Sequence, residues 1–379
     1  MSGEPGVDVG VALTQADASA RRVPSDSPMS KQRQFTLVSL ILLIVLGLGG
    51  YFWRDDSPAP TPALKHSYTK AVAMAHNGQP GAARVLYQQL AREDLSAIRR
   101  AGLYAELPNY PSPLALKLAS RDLQHDDPLV RRAAIAAIKS MLPGPQRSLA
   151  LGPLLDDEDQ SVRFAVVDAL LGLGPDDIGL YFGPLQHVLE EYQHVLAQET
   201  DDADAQLHLA QLYLHENGYK DAAAALERTL KLDPENLEAL AVQVQVLERQ
   251  GQTDASRQLL ANALQQRPDS AFLQFELGRW LLRHEQDEYA LLAFARAVEL
   301  EPDNNEYRYT LASNLHDLEQ VEPAQKQLEA IIARDPANRN ARVLLIEYWK
   351  ETGQMQNVQV LLAQLEQLNP DDPLVQQGL

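Results

Sequence analysis

Hydrophobic and polar positions in the second half of the chain repeat every 34 residues. Prolines that each close a predicted helix recur at this interval, namely Pro234, Pro268, Pro302, Pro336 and Pro370. Large apolar residues recur at the eleventh and twenty-fourth positions of each repeat, and mostly small residues at the eighth and twentieth, where two helices must cross closely. The pattern predicts helix pairs over 203–236, 237–270, 271–304, 305–338 and 339–372.

This period and this placement of small and large residues resemble tetratricopeptide (TPR) repeats. The resemblance covers 203–372, and the fifth unit departs most from it, with Ile346 and Val358 where small residues are expected. It implies a superhelix with a long concave surface that binds proteins or peptides, lined mainly by the second, fifth, ninth, twelfth and thirteenth positions of the first helix of each unit.

The resemblance also implies which side chains line that groove. The predicted protein-binding residues are Leu207, Gln211, Gln245, Arg249, Phe275, Arg279, Arg283, Tyr309, Ser313, His316 and Lys350. Arginine and aromatic residues often anchor interfaces, which favours the patch of Phe275, Arg279, Arg283 and Tyr309. The alternative for each residue is a solvated face or packing between helices. The Lys and Asn pattern of the TPR clamp for a peptide carboxylate is absent, which disfavours a chaperone-tail ligand.

A second repeat, with a period of 32, precedes the first. The string Asp127-Pro-Leu-Val130-Arg131 recurs at Asp159-Gln-Ser-Val162-Arg163, and a weaker copy ends at Ile98-Arg99. Each copy leads into an Ala-rich helical run, so we expect Asp to cap the helix, the β-branched residue to face the core and Arg to point outward. The pattern resembles HEAT repeats over 64–177; a non-repeating helical bundle is the alternative.

An uncharged apolar run occupies residues 35–53. As a helix at ~1.5 Å per residue it would extend about 28 Å, close to the ~30 Å of a bilayer core. Tyr51, Phe52 and Trp53 stand where an aromatic belt is expected. We interpret the run as an uncleaved transmembrane anchor. A cleaved signal peptide and a buried core helix are the alternatives.

Basic residues on the two sides of this run favour a cytoplasmic N-terminus. Arg21, Arg22, Lys31 and Arg33 precede it, and only Arg54, Lys65 and Lys70 follow it closely. In a bacterium this orientation predicts an inner-membrane, single-pass protein with periplasmic repeats. The inverted orientation, with cytoplasmic repeats, is the alternative.

The remaining segments complete the predicted organisation. Residues 1–34 have the composition of a disordered tail, 54–63 form a Pro-rich spacer, 178–202 form a helix that joins the two arrays, and 373–379 are a C-terminal tail. The fold class is therefore all-α, a right-handed α-solenoid with HEAT-like and TPR arrays and one N-terminal transmembrane helix. Since no polar capping helix follows the last unit, we expect a partner or a second copy to cover its end.

Charge and cysteine content exclude several classes of function. Lys plus Arg number 33 and Asp plus Glu 52, which gives a net charge of −19 and disfavours nucleic acid as a partner. The chain has no cysteine, so it has no disulfide, thiolate zinc site or covalent c-type haem.

The motifs of common catalytic and nucleotide-binding sites are missing. His187 and His194, like His208 and His215, are seven residues apart, without a third ligand at metal-binding spacing. The acidic run 156–159 lacks the spaced ligands of a calcium loop. We therefore predict a protein that is not an enzyme and has no cofactor or metal.

The order of segments adds a second resemblance. The runs GQPGAARVL, YPSPLAL, DDPLVRRAAIAAI and LLDDEDQSVRFAVVDAL, followed by the TPR units, resemble the C-terminal half of bacterial multihaem c-type cytochromes with HEAT and TPR repeats. In that family an N-terminal half carries C-x-x-C-H haem motifs, which this chain lacks. The resemblance thus implies an interaction scaffold and transfers no haem residue.

Together these features lead to two hypotheses of function. The first is a membrane-anchored scaffold that binds a protein or peptide in its groove, with a c-type cytochrome or a maturation factor as the candidate partner. The second is a periplasmic chaperone or translocon accessory factor, which would bind many unfolded clients. Oligomerisation is compatible with both.

Overall fold

The computed structural model describes residues 67–377, which are helical with connecting turns and contain no strand. The predicted tail, membrane span and spacer lie outside these residues. Between Ser67 and Gln377, none of the helices combines the length and the apolar character needed to cross a bilayer. The described part is an all-helical TPR-like solenoid.

Helix pairs form its second half and begin every 34 residues. The first helix of each pair has 13 residues and the second 14. The pairs are Ala203–His215 with Tyr219–Leu232, Leu237–Arg249 with Thr253–Gln266, Ala271–Arg283 with Asp287–Leu300, Asn305–Asp317 with Val321–Arg334, and Arg339–Glu351 with Met355–Leu368. We number these pairs units 1 to 5.

The sequence sets the start of each pair and the turn inside it. A polar residue caps each first helix, its side chain accepting a hydrogen bond from a backbone N–H of the first turn: Asp202, Asn236, Ser270, Asn304 and Asn338. The chain then reverses through a residue with left-handed backbone, again 34 apart: Asn217, Gly251, Glu285, Glu319 and Gly353. Cap and turn together fix the length of each first helix.

The N-terminal half contains shorter helices of less regular length. They are Tyr68–His76, Ala82–Leu90, Ala97–Glu106, Pro113–Asp122, Pro128–Met141, Gly144–Leu151, Gln160–Leu170 and Pro175–Ile178. Short 3-10 segments occupy Leu107–Asn109, Gly152–Asp156 and Gly179–Tyr181.

A recurring ion pair links three of these helices to later segments. Arg100 bonds Asp122 at 2.7 Å, Arg131 bonds Asp157 at 2.8 Å, and Arg163 bonds Glu191 at 2.6 Å. Each arginine also donates to backbone carbonyl oxygens in the segment before its own helix. The three guanidinium groups thus tie each helix to the segment before it and to a carboxylate that follows it in the chain.

Two details of the expected 32-residue repeat are wrong. Arg131 is buried rather than outward-pointing, because its guanidinium is enclosed between loop carbonyls and Asp157. In the first copy the equivalent of Arg131 is Arg100, not Arg99, and Ile98 is 76% exposed. Ser96 takes the N-cap position there, so the first interval is one residue shorter than the second.

Helix Phe182–Gln198 connects the two halves. Tyr192 stacks on Phe164 of the preceding array, with ring centroids 3.9 Å apart, and lies 5.1 Å from the ring of His208 in unit 1. Leu185, Val188 and Leu189 are buried in the core of the N-terminal half. The apolar core therefore continues from one array into the other.

The two ends of the described chain contact each other. Leu368 joins the apolar core of the N-terminal half, and Asn369 and Asp372 are fully buried. Our expectation that a partner or second copy covers the last unit is therefore wrong for this edge, because helices and loops of the N-terminal half lie against it.

Candidate protein-binding cleft

A cleft of about 650 Å³ lies across the first helices of units 1, 2 and 3. Residues of the three helices face it because equivalent positions of successive first helices lie side by side in a solenoid. Its borders include the predicted residues Gln211, Gln245, Arg249 and Arg279. The structure thus brings four of the predicted groove residues together.

Some polar side chains of the cleft have hydrogen-bond partners within the protein, and others do not. Gln211 donates to the carboxylate of Glu238 at 3.0 Å, which links units 1 and 2. Arg249 is exposed, and neither it nor Gln245 has a hydrogen-bond or ion-pair partner among residues 67–377. A guanidinium and an amide on the lining of the cleft therefore remain available to a ligand.

Glu276 adds a buried carboxylate to the same wall. Its side chain is 7% exposed and pairs with Arg279 at 3.0 Å. Burial raises the pKa of Glu276 above its ordinary value, and the nearby Arg279 and Arg283 oppose this rise. Arg279 itself stays 45% exposed, so its remaining N–H groups still face solvent.

Apolar side chains complete the lining. Leu214 and Phe272 are half-buried, and Ala241 and Val242 are buried at the border of the cleft. A ligand therefore meets an apolar surface flanked by charges of both signs.

Two predicted groove residues lie in the core instead. Phe275 is buried between the rings of Tyr307, 4.6 Å away, and Phe294, 5.5 Å away. Leu207 is buried in the core that units 1 and 2 share. Large side chains at the fifth position of a first helix fill the space between successive units, whereas the small Ala241 at that position of unit 2 borders the cleft.

The other predicted residues lie outside this cleft. Arg283 reaches across units to Glu248 at 2.7 Å, where His284 also bonds. His316 bonds Glu351 at 2.6 Å and stacks on Tyr348. Ser313 donates to the carbonyl of Tyr309 at 3.3 Å, and Lys350 is exposed. These contacts give Arg283 and His316 a structural role between units.

Sequence reasoning missed Glu238, Phe272 and Glu276. The first two occupy the second position of their units, which the TPR resemblance assigns to the groove, so the signal was present. Glu276 at the sixth position carried no such signal. Within the described part of the chain, no group of three His, Asp or Glu side chains converges as a metal site would require.

Comparisons with known proteins agree with this architecture. A model of the tetratricopeptide repeat family matches residues 189–236, 209–271 and 242–305. A TPR repeat-containing protein of Pseudomonas aeruginosa is 31% identical over 163 residues, which is 41% of this chain and 27% of that protein. Residues 189–305 thus match the tetratricopeptide repeat model, and the chain covers about a quarter of this relative's length.

Solved structures give a more distant likeness. YrrB, described as a TPR protein with an unusual peptide-binding site, is 22% identical with a TM-score of 0.34, over 50% of this chain and 97% of that one. Yeast Tom70 is 14% identical with a TM-score of 0.44, over 81% of this chain and 67% of that one.

Proposed function

We propose that this protein is a membrane-anchored scaffold that binds a polypeptide segment in the cleft of units 1 to 3. The observation that carries the proposal is the pair of unsatisfied groups, Arg249 and Gln245, placed between apolar side chains on three adjacent helices. TPR solenoids bind protein or peptide partners, and the acidic composition makes nucleic acid an unsuitable partner.

The cleft chemistry favours an extended segment with an acidic group. A guanidinium binds a carboxylate through two parallel hydrogen bonds, which suits the free Arg249. The Gln245 amide can both donate to and accept from a peptide backbone. Leu214 and Phe272 offer apolar contact beside these groups. An acidic side chain next to an apolar one matches this arrangement.

The N-terminal helices fit a HEAT-like array in this proposal. Support comes from the three equivalent arginines, Arg100, Arg131 and Arg163, each of which bonds both its own loop and a later carboxylate. The resemblance to the HEAT–TPR half of multihaem cytochromes then suggests a c-type cytochrome or a maturation factor as the partner.

Anchoring and orientation rest on the sequence. The uncharged run 35–53 supports a single span, and the basic residues before it support periplasmic repeats. A reporter enzyme that works only outside the cytoplasm, fused after Leu379, tests this. Activity of that fusion supports the orientation, whereas activity of only a cytoplasmic reporter at the same position contradicts it.

Site-specific photocrosslinking in membranes tests the cleft. A photoreactive amino acid at His215, an exposed residue at the border of the cleft, should capture one partner species, and Arg249→Glu should reduce that capture by roughly tenfold or more. The matched controls are the photoreactive residue at Tyr289, which is exposed on another face of unit 3, and Arg132→Glu, a charge reversal of an exposed arginine in the N-terminal half.

The outcome also separates the two hypotheses of function. A single captured protein supports a dedicated scaffold, whereas a broad ladder of clients supports a chaperone or translocon factor. Equal capture at His215 and Tyr289, or no effect of Arg249→Glu, contradicts binding in the cleft.

A further inference from the structure

Four short segments at helix ends and in loops form the contact between the ends of the solenoid, which we call the seam. Residues 77–81 and 107–111 of the N-terminal half meet residues 336–339 and 367–372 of unit 5 and the turn after it. The seam joins parts of the chain that are more than 200 residues apart in sequence.

Hydrogen bonds to backbone groups hold the seam. The N–H of Gly81 donates to the carbonyl of Gln367 at 2.7 Å. The buried Asn369 donates to the carbonyl of Pro111 at 2.7 Å, and the hydroxyl of Tyr87 lies 3.4 Å from its amide oxygen. These bonds recognise the main chain, so they require the two ends to meet in one register.

An ion pair braces the unit 5 side of the seam. Arg339 binds Asp372 through two bonds of 2.6 and 2.9 Å, and Asp372 is fully buried. The backbone N–H of Arg339 also donates to Asn109 of the N-terminal half at 3.4 Å. The turn after unit 5 is thus held in the shape that the seam needs.

Gly78 shows how closely the ends approach. A Cβ atom at this position would lie 2.5 Å from the carbonyl carbon and oxygen of Pro336. Gly81, three residues later, has a similar left-handed backbone, but its Cβ would meet no atom within 4 Å. A side chain at residue 78 would therefore clash across the seam, and one at residue 81 would not. The backbone at both positions is similarly strained for any residue other than glycine.

The seam differs in kind from the other contacts along the solenoid. Neighbouring helices elsewhere pack apolar faces into continuous cores. The seam combines loops, hydrogen bonds and one ion pair with three residues of an apolar core, Leu107, Tyr110 and Leu368. Segments with few buried apolar contacts open at lower free energy than helical cores, so we expect the seam to open before the helix pairs do.

We infer that the seam is a reversible latch that switches the solenoid between a closed form and an open superhelix. In an open solenoid, the small rotations between successive helix pairs can add up to any total, whereas contact between the ends fixes that total. Units 1 to 3, which form the cleft, contribute to this total rotation. The latch therefore sets the separation of units 1 and 3, and a ligand that prefers another separation must favour one latch state.

Distance measurements by pulsed electron paramagnetic resonance test the latch on the full-length chain in detergent. The chain has no native cysteine, so two introduced cysteines carry the only labels. Arg84→Cys with Asp371→Cys reports the seam, because both exposed residues border one pocket across it. His215→Cys with Arg279→Cys reports the separation of units 1 and 3 across the cleft.

The matched perturbation is Gly78→Asn, with Gly81→Asn as its control. Asparagine tolerates left-handed backbone, so both variants carry similar strain, and only the side chain at residue 78 clashes with Pro336. We expect a short seam distance in the unperturbed chain and with Gly81→Asn. With Gly78→Asn, a long-distance population should dominate and the cleft distance should shift, while helix content by circular dichroism stays unchanged.

Three results would overturn the inference. They are a long seam distance in the unperturbed chain, an unchanged seam distance with Gly78→Asn, and a released seam that leaves the cleft distance unaltered. If Gly78→Asn lowers helix content, Asn369→Ala replaces it, since it removes the bond to Pro111 without a clash. A short seam distance in that variant as well would count against the latch.

Discussion

Arg100 illustrates how one buried side chain organises the N-terminal half. Its guanidinium is almost fully buried and bonds Asp122 and the carbonyl of Leu90. Loss of one partner of a buried ion pair leaves the other charge uncompensated.

We predict that Arg100→Ala lowers the free energy of unfolding by about 3–5 kcal/mol. The neighbouring Arg99→Ala should cost less than ~1 kcal/mol, because Arg99 is exposed and makes only a cation–π contact with Tyr68. Urea unfolding followed by circular dichroism measures both. Similar losses for the two variants would contradict the structural register, in which Arg100 rather than Arg99 matches Arg131.

Glu276 gives a prediction about pH. Because burial raises its pKa, the folded protein keeps a proton on this carboxyl at pH values where the unfolded chain has lost it. Its protonation therefore stabilises the fold at low pH, and this stabilisation is lost as the pH rises through the raised pKa. The substitution Glu276→Gln mimics the protonated form at every pH.

We accordingly expect Glu276→Gln to unfold at a higher temperature than the unaltered protein at neutral pH, with no difference below the ordinary glutamate pKa of ~4.3. Thermal unfolding across this pH range is the measurement, and Glu238→Gln, at an exposed carboxylate of the same cleft, is the control. A lower unfolding temperature for Glu276→Gln at neutral pH would mean that the pair with Arg279 outweighs burial.

At the scale of single residues, the sequence favoured the patch of Phe275, Arg279, Arg283 and Tyr309, of which only Arg279 borders the cleft. The position numbers within a repeat also selected Gln211, Gln245 and Arg249, which lie at the border of the cleft. They misplaced Leu207 and Phe275, because side-chain size decides whether the fifth position faces the groove or fills the gap between units. That choice depends on neighbours such as Phe294 and Tyr307, which a position rule ignores.

At the scale of helices, unit 3 combines a very small residue with a large one where its two helices cross. Gly278 lies where its first helix crosses Phe294 of its second helix, and an added Cβ would come within 2.5 Å of that ring. Units 1 and 4 have alanine and leucine at the same two positions, Ala210 with Leu226 and Ala312 with Leu328. The smaller leucine leaves room for the alanine methyl group.

We predict that Gly278→Ala destabilises the protein despite the better helix propensity of alanine, since overpacking costs ~1–3 kcal/mol against a gain of about 1. Adding Phe294→Leu should restore the stability that Gly278→Ala removes, with a coupling energy of about 1 kcal/mol or more. A double-mutant cycle from urea midpoints measures this coupling, and additive losses would contradict the proposed pairing.

Helix positions in the second half were readable from sequence because each determinant is local. The closing prolines and the alternation of small and large residues recur every 34 residues, and the structure has helix pairs at that interval. The N-terminal half was harder, because its repeats differ in length and Ser96 replaces aspartate at one cap. Assuming a fixed interval therefore placed the first copy of the repeat one residue too early in the sequence.

At the scale of the whole molecule, the contact between the ends was beyond reach of sequence reasoning. Solenoid repeats are recognised from contacts between neighbours, whereas the seam joins residues such as Pro111 and Asn369 that no periodicity connects. The ends meet because of the total rotation over all helix pairs, and small angular differences between pairs accumulate along the array.

Hydrogen exchange provides a prediction at this scale. Gly78→Asn should speed amide exchange in the terminal helices Tyr68–His76 and Met355–Leu368 and leave the central helix Ala271–Arg283 unchanged, since local openings follow local contacts. Gly81→Asn should change neither region. Uniform acceleration over all three helices would show instead that the seam stabilises the entire fold as one cooperative unit.

The meeting of the two ends also has a mechanical consequence. A force that pulls residues 67 and 377 apart acts first on the short path through the bonds Gly81–Gln367 and Asn369–Pro111. The helix pairs between them bear tension only after those bonds have parted. The seam therefore sets the load below which the repeats, and the cleft they carry, keep their shape.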